Sequence, residues 1–122
     1  MNRSNGLRIL WVENHARFIA VALPVFFGKH DVTVVPSIVQ ARERIAKDAY
    51  DAIIVDYDLD DGKGMEVVGH LLALPDRPLI VAASAHADGN EKLRNAGADV
   101  ICSKANFTQL AAALSLPHDI RP

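Results

Sequence analysis

Four short stretches place polar, chemically capable side chains directly behind apolar runs. Glu13 and Asn14 follow residues 7–12, and Asp56, Tyr57 and Asp58 follow residues 52–55. Ser84, Ala85 and His86 follow residues 79–83, and Lys104 follows residues 100–103. Carboxylate, amide and carbonyl oxygens suit Mg²⁺, a hard cation. A hydroxyl and an ammonium suit the oxygens of a phosphoryl group. Each residue alone has a plainer reading: Asp56 ends a strand, Glu13 favours a helix start through the dipole, Ser84 is a small turn residue, and Lys104 is a solvated loop lysine. The chemical reading requires a fold that gathers all four stretches at one edge.

The elements between them supply such a fold. The apolar runs at 7–12, 31–35, 52–55, 79–83 and 100–103 are short and lack clean alternation, as in strands of a parallel sheet covered on both faces. Stretches of helical period alternate with them. In 15–27, Phe18, Ala22 and Val25 share a face, Pro24 should kink or end the helix, and Gly28 should cap it. Ser37 is an N-cap for a helix whose face is Ile38, Ala41, Ile45 and Ala49. Residues 64–74 stop at Pro75, and 88–96 stop at Gly97. Asn106 caps a last helix lined by Phe107, Leu110, Ala111 and Leu114, and 116–122 form a loose tail. Strands alternating with helices imply parallel pairing through right-handed crossovers. The expectation is an α/β fold: a flavodoxin-like, doubly wound five-stranded parallel sheet in order 2-1-3-4-5 with helices on both faces. In such sheets ligands sit beyond the carboxyl ends of the strands, where the winding reverses.

Composition narrows the function classes. The chain has 122 residues, 50% of them hydrophobic and 23% charged, enough for one core without metal or disulfide staples. We expect a single domain over 1–122, with its core at about 7–115. The net charge of −2 argues against direct nucleic-acid binding. The lone cysteine, Cys102, forms no internal disulfide and reads as a small core residue. The longest apolar stretch, 18–27, is broken by Pro24 and is too short for a membrane span. Residues 1–6 have no signal-type apolar region. The expected location is therefore the cytoplasm. No Gly-x-Ser-x-Gly elbow or phosphate-binding glycine motif is present. Asp56–Gly62 superficially resembles a calcium loop, but its glycine is one place late and Val67 stands where the closing Glu belongs. The five histidines have no metal-ligand spacing; His86 reads as an exposed loop residue and Trp11 as core.

Taken in order, the four stretches resemble the receiver domain of bacterial two-component response regulators. They are Ile9-Leu10-Trp11-Val12-Glu13-Asn14, Asp51-Ala52-Ile53-Ile54-Val55-Asp56-Tyr57-Asp58-Leu59, Leu79-Ile80-Val81-Ala82-Ala83-Ser84-Ala85-His86-Ala87-Asp88 and Gly97-Ala98-Asp99-Val100-Ile101-Cys102-Ser103-Lys104. The resemblance implies that Asp56 accepts a phosphoryl group from a histidine kinase or phosphotransfer protein. It implies that Glu13, Asn14, Asp56 and the backbone carbonyl of Asp58 hold Mg²⁺. It further implies that Ser84 hydrogen-bonds the phosphoryl group and Lys104 neutralises it. The module would be a signalling domain whose only chemistry is its own phosphorylation and dephosphorylation. It would act on a downstream protein partner or output domain through the 88–96, 100–103 and 106–115 face, with homodimerisation as a further option.

Three positions depart from the family pattern. Asn14 replaces the aspartate that is the direct metal ligand, so we expect Mg²⁺ binding weakened by roughly 1–3 kcal/mol, because charges at a partly wet site interact by a few kcal/mol. Ile101 replaces an aromatic whose rotamer reports phosphorylation. Ala105 replaces a proline often in cis, and a non-proline cis bond costs ~2.5–4 kcal/mol, so a trans bond is expected. These departures leave open a degenerate receiver that binds partners without phosphorylation. A flavodoxin-like cofactor-binding domain is a further alternative, opposed by the acid of Glu13-Asn14 where phosphate-cradling groups would stand.

Overall fold

Residues in the apolar runs bury both faces, so the strands stack inside a sandwich rather than on a solvated surface. In this computed structural model, which describes residues 6–26 and 29–104, the parallel strands are β1 (Arg8–Val12), β2 (Asp31–Val35), β3 (Ala52–Val55), β6 (Leu79–Ala82) and β7 (Val100–Ile101). They pair in the order β2-β1-β3-β6-β7, all parallel, with registers such as Leu10↔Ile53 and Ile53↔Ile80. Counted among parallel strands alone, this is the expected order 2-1-3-4-5. Gly28 and everything from residue 105 onward, including the expected last helix, its Asn106 cap, Ala105 and the tail, lie outside the described residues.

Alternation along each strand divides the core in two. Leu10, Val12, Ile53, Val55, Ile80 and Ala82 face one side, packing on Ile38 and Ala41 of α2 (Ile38–Lys47), Val67, Val68 and Leu71 of α3 (Met65–Leu72) and Leu93 of α4 (Ala87–Ala96). Ile9, Trp11, Ile54 and Val81 face the other, against Ala22 of α1 (Ala16–Ala22) and Phe26. Trp11 meets Phe18 edge-on with ring centroids 5.8 Å apart and Phe26 at 6.2 Å, each contact adding about 0.5–1.5 kcal/mol beyond buried area. The helices thus cover both faces.

Local chemistry sets the helix ends. Pro24 has no amide to donate, and the α-helix stops at Ala22 and tightens into a 3₁₀ turn over Leu23–Phe26. Ser37 caps α2 through the Gln40 amide, as expected, but the helix ends at Lys47, leaving Ala49 outside it. Helix α4 closes on Gly97, whose φ of 127° suits glycine.

The 56–62 stretch holds an element without periodic signal: a small antiparallel hairpin of β4 (Asp58–Leu59) and β5 (Gly62–Lys63). Two-residue strands are too short to show alternation; Asp60 and Asp61 make the turn between them, and Gly62, at φ 155°, opens β5. Asp61 accepts the amides of Ile38 (2.7 Å) and Val39 (3.1 Å), so this hairpin also caps α2.

Candidate functional site

The sheet ladder continues past the strand ends and fixes the site residues by their backbones. The Glu13 amide donates to the Val35 carbonyl (2.9 Å), the Asp56 amide to Val12 (3.0 Å), and the Ala83 amide to Val55 (3.0 Å). Glu13, Asp56 and Ser84 therefore stand side by side at the carboxyl edge. Behind Asp56, the Gly64 amide donates to the Tyr57 carbonyl at 2.7 Å. A Cβ on Gly64 would collide with the Asp56 carbonyl oxygen and approach Val55 Cγ1 to 2.8 Å, so only glycine allows this close return of the chain.

Glu13, Asp56 and Lys104 form one cluster. The Lys104 ammonium lies 2.9 Å from Glu13 Oε2 and 3.6 Å from Asp56 Oδ2, and it sits 4.7 Å from the centre of the Phe18 ring. Glu13 is fully buried and Asp56 is 6% exposed. Burial pushes the Glu13 carboxyl up to about 7; the Asp56 charge adds to the rise, and the hydrogen bond from Lys104 opposes it. Glu13 Oε1 is buried and has no hydrogen-bond partner among the described residues.

The remaining expected residues occupy the same edge with other partners. Ser84 is buried; its Oγ accepts the His86 amide at 3.3 Å, and among the described residues no hydrogen bond joins it to Asp56. Asn14 is exposed and donates its side-chain amide to Asp60 Oδ1 at 3.1 Å. The Asp58 carboxylate is ion-paired with Lys63, which lies over the Tyr57 ring, so that side chain is already engaged. Ile101 is half-buried and packs on the first core cluster, and Cys102 is half-buried against the second. His86 is exposed, at the N-terminal boundary of α4.

Two residues of this region carried no clear sequence signal. Asn90 of α4 is buried; it accepts the Ser84 amide at 2.8 Å and donates to the Ser84 carbonyl at 3.1 Å, locking the loop after β6 to the helix. Only the six-residue offset from Ser84 hints at this. Asp60 is the other, because its contact with Asn14 spans 46 residues.

The donor chemistry fits Mg²⁺. Two carboxylates, Glu13 and Asp56, sit together around Lys104, one buried carboxylate oxygen lacks a partner, the exposed Asn14 follows Glu13 in the chain, and hard oxygen ligands are what Mg²⁺ takes. Among the described residues no three acidic, histidine or cysteine side chains gather as a metal-binding group. A cavity of about 770 Å³ lies at the opposite edge, between Leu7, Asp51, Arg77 and Asp99, away from the acid–lysine cluster.

A flavodoxin-like sheet with an acid–lysine cluster at its carboxyl edge defines a class, and comparison with known proteins makes the class specific. The family model for the response regulator receiver domain matches residues 9–115. The chain belongs to that family, whose members are signalling modules of two-component systems. No curated protein matches it significantly. Among solved structures it is similar to a phosphorylated cyanobacterial phytochrome response regulator, at 21% identity over 90% of this chain and 89% of that one, with a TM-score of 0.73. It is similar to the receiver domain of a Pseudomonas aeruginosa sensor histidine kinase with a magnesium ion coordinated in the active-site cleft, at 24% identity, 89% and 97% coverage, and TM-score 0.76. A CheY-like receiver domain protein from Methanospirillum hungatei matches at 20% identity, 88% and 89% coverage, and TM-score 0.76. At these identities the solved structures speak to the fold. Among the described residues no helix is long and apolar enough to cross a membrane.

Proposed function

We propose that this receiver, built as one unit over about 7–115, accepts a phosphoryl group on Asp56 from a histidine kinase or phosphotransfer protein of the cytoplasm. The observation that carries the reading is the Lys104 ammonium set between Glu13 and Asp56 beside a buried, unpartnered carboxylate oxygen. Such a site demands positive charge. Glu13, Asn14, Asp56 and the Asp58 carbonyl would hold Mg²⁺. When bound, the ion neutralises charge on the carboxylates and the incoming phosphoryl oxygens. An Asp56 carboxylate oxygen attacks phosphorus, the donor's phosphorus–nitrogen bond breaks, and the electron pair returns to the donor imidazole. Lys104 then exchanges its bond to Glu13 for one to the phosphoryl oxygens. Ser84 Oγ accepts the His86 amide and so keeps its hydroxyl proton to donate to the same group; moving toward it carries the loop before α4, which changes the face offered to a downstream protein partner or output domain.

The pseudo-receiver reading draws on one observation: Asn14, Ser84 and Lys104 each already have a partner other than Asp56. Incubation with acetyl phosphate and Mg²⁺, followed by intact mass, separates the two. We expect a single phosphoryl adduct that is absent in Asp56→Asn and absent with chelator. An unmodified wild-type chain would favour the phosphorylation-independent module.

A further inference from the structure

We propose that Asp60 is a positioning residue for the Mg²⁺ site, holding the Asn14 amide in a ligating orientation and adding the negative charge that position 14 lacks. The inference rests on the phosphoacceptor reading and deepens it. A side-chain amide has a donor end and an acceptor end. A carboxylate can only accept, so the Asn14 Nδ2–Asp60 Oδ1 bond of 3.1 Å fixes which end is which. The end left over is Oδ1, the one side-chain atom of Asn14 able to ligate a hard cation. Glu13, one residue earlier, carries the buried Oε1 without a partner.

Asp60 is not a loosely placed surface acid. Its amide donates to the Pro36 carbonyl at 3.2 Å, and the following Asp61 is pinned by the Ile38 and Val39 amides. The β4–β5 hairpin and the start of α2 thus set Asp60 beside Asn14 before any ion arrives. Partners that orient metal ligands are commonly worth 10–100-fold in affinity, and an exposed pair belongs below that range.

The test is a Mg²⁺ titration of the full chain, read by fluorescence of Trp11, the single tryptophan, and by calorimetry. The variants are Asp60→Asn, Asp60→Ala and the exchanged pair Asn14→Asp with Asp60→Asn, each checked by thermal melting without Mg²⁺. Asp60→Asn removes charge and leaves an acceptor, and Asp60→Ala removes both. We expect both to weaken Mg²⁺ binding by roughly three- to tenfold, Ala more than Asn. The exchanged pair keeps the hydrogen bond with the charge moved to position 14, and should return affinity to the wild-type value or tighter. Because Asn14→Asp alone should tighten Mg²⁺ binding, it is measured beside the pair: a positioning role makes Asp60→Asn cost less affinity in the Asn14→Asp background than in the wild-type chain, whereas a purely structural role makes the two losses equal. Binding within twofold of wild type in Asp60→Asn, or an equal loss from Asp60→Asn in the wild-type and Asn14→Asp backgrounds, overturns the inference and leaves the phosphoacceptor reading standing. Absence of saturable Mg²⁺ binding in the wild-type chain overturns both.

Discussion

Burial and the neighbouring Asp56 charge push the Glu13 carboxyl up to about 7, against an ordinary value of 4.5, and Lys104 offsets the rise only in part. A carboxyl whose pKa is raised on folding binds protons more tightly in the folded state. Between about 4.5 and 7 the folded chain therefore holds more protons than the unfolded chain at this residue, and stability falls as pH rises through that window. Urea unfolding of wild type and Glu13→Gln at pH 5 and pH 8 checks this: the wild type should lose more stability on going to pH 8. Equal pH dependence in the two proteins would contradict the assignment. A proton and Mg²⁺ compete for the same carboxylate, so added Mg²⁺ should recover more of that loss at pH 8 than at pH 6. Glu13 was legible as a candidate because an acid directly behind an apolar run is conspicuous. Its protonation was not, since that depends on its burial and on how closely Asp56 and Lys104 approach.

At the level of elements, α2 shows how one helix start ties the site to the sheet. Ser37 accepts the Gln40 amide, Asp61 accepts those of Ile38 and Val39, and Ala41 makes the first helical bond to the Ser37 carbonyl. The three leading amides that no helical bond reaches, those of Ile38, Val39 and Gln40, are thereby satisfied. Ser37→Ala orphans one of them and should cost about 1 kcal/mol, read as a lower urea midpoint with unchanged slope. A midpoint unchanged from wild type would mean that water replaces the cap. The Ser37 cap and the break at Pro24 were readable because both act through the local backbone. The hairpin was not: its two-residue strands have no period, and the contact that makes it matter lies across the chain at Asn14.

For the whole molecule, the central strands β1, β3 and β6 are buried on both faces, and Ile53 is 1% exposed between Leu10 and Ile80. Ile53→Ala removes side-chain volume from a site that cannot collapse, and should destabilise the chain by about 2–5 kcal/mol, a large part of the ~5–15 kcal/mol typical of a domain. Chemical denaturation measures it directly, and a loss below 1 kcal/mol would show a looser core than the packing implies. The acid–lysine cluster depends on this rigidity, because the ladder bonds of Glu13 and Asp56 are continuations of the same strands.

The sequence alone determined the alternation of strand and helix, the parallel order and which stretches must meet at the carboxyl edge, because apolar period, prolines and caps act over a few residues. Only the tertiary structure decided the partners at that edge: Lys104 on Glu13, Asn90 on Ser84, and Asp60 on Asn14. Those contacts join residues from separate elements, and their distances follow from side-chain packing that no local pattern encodes.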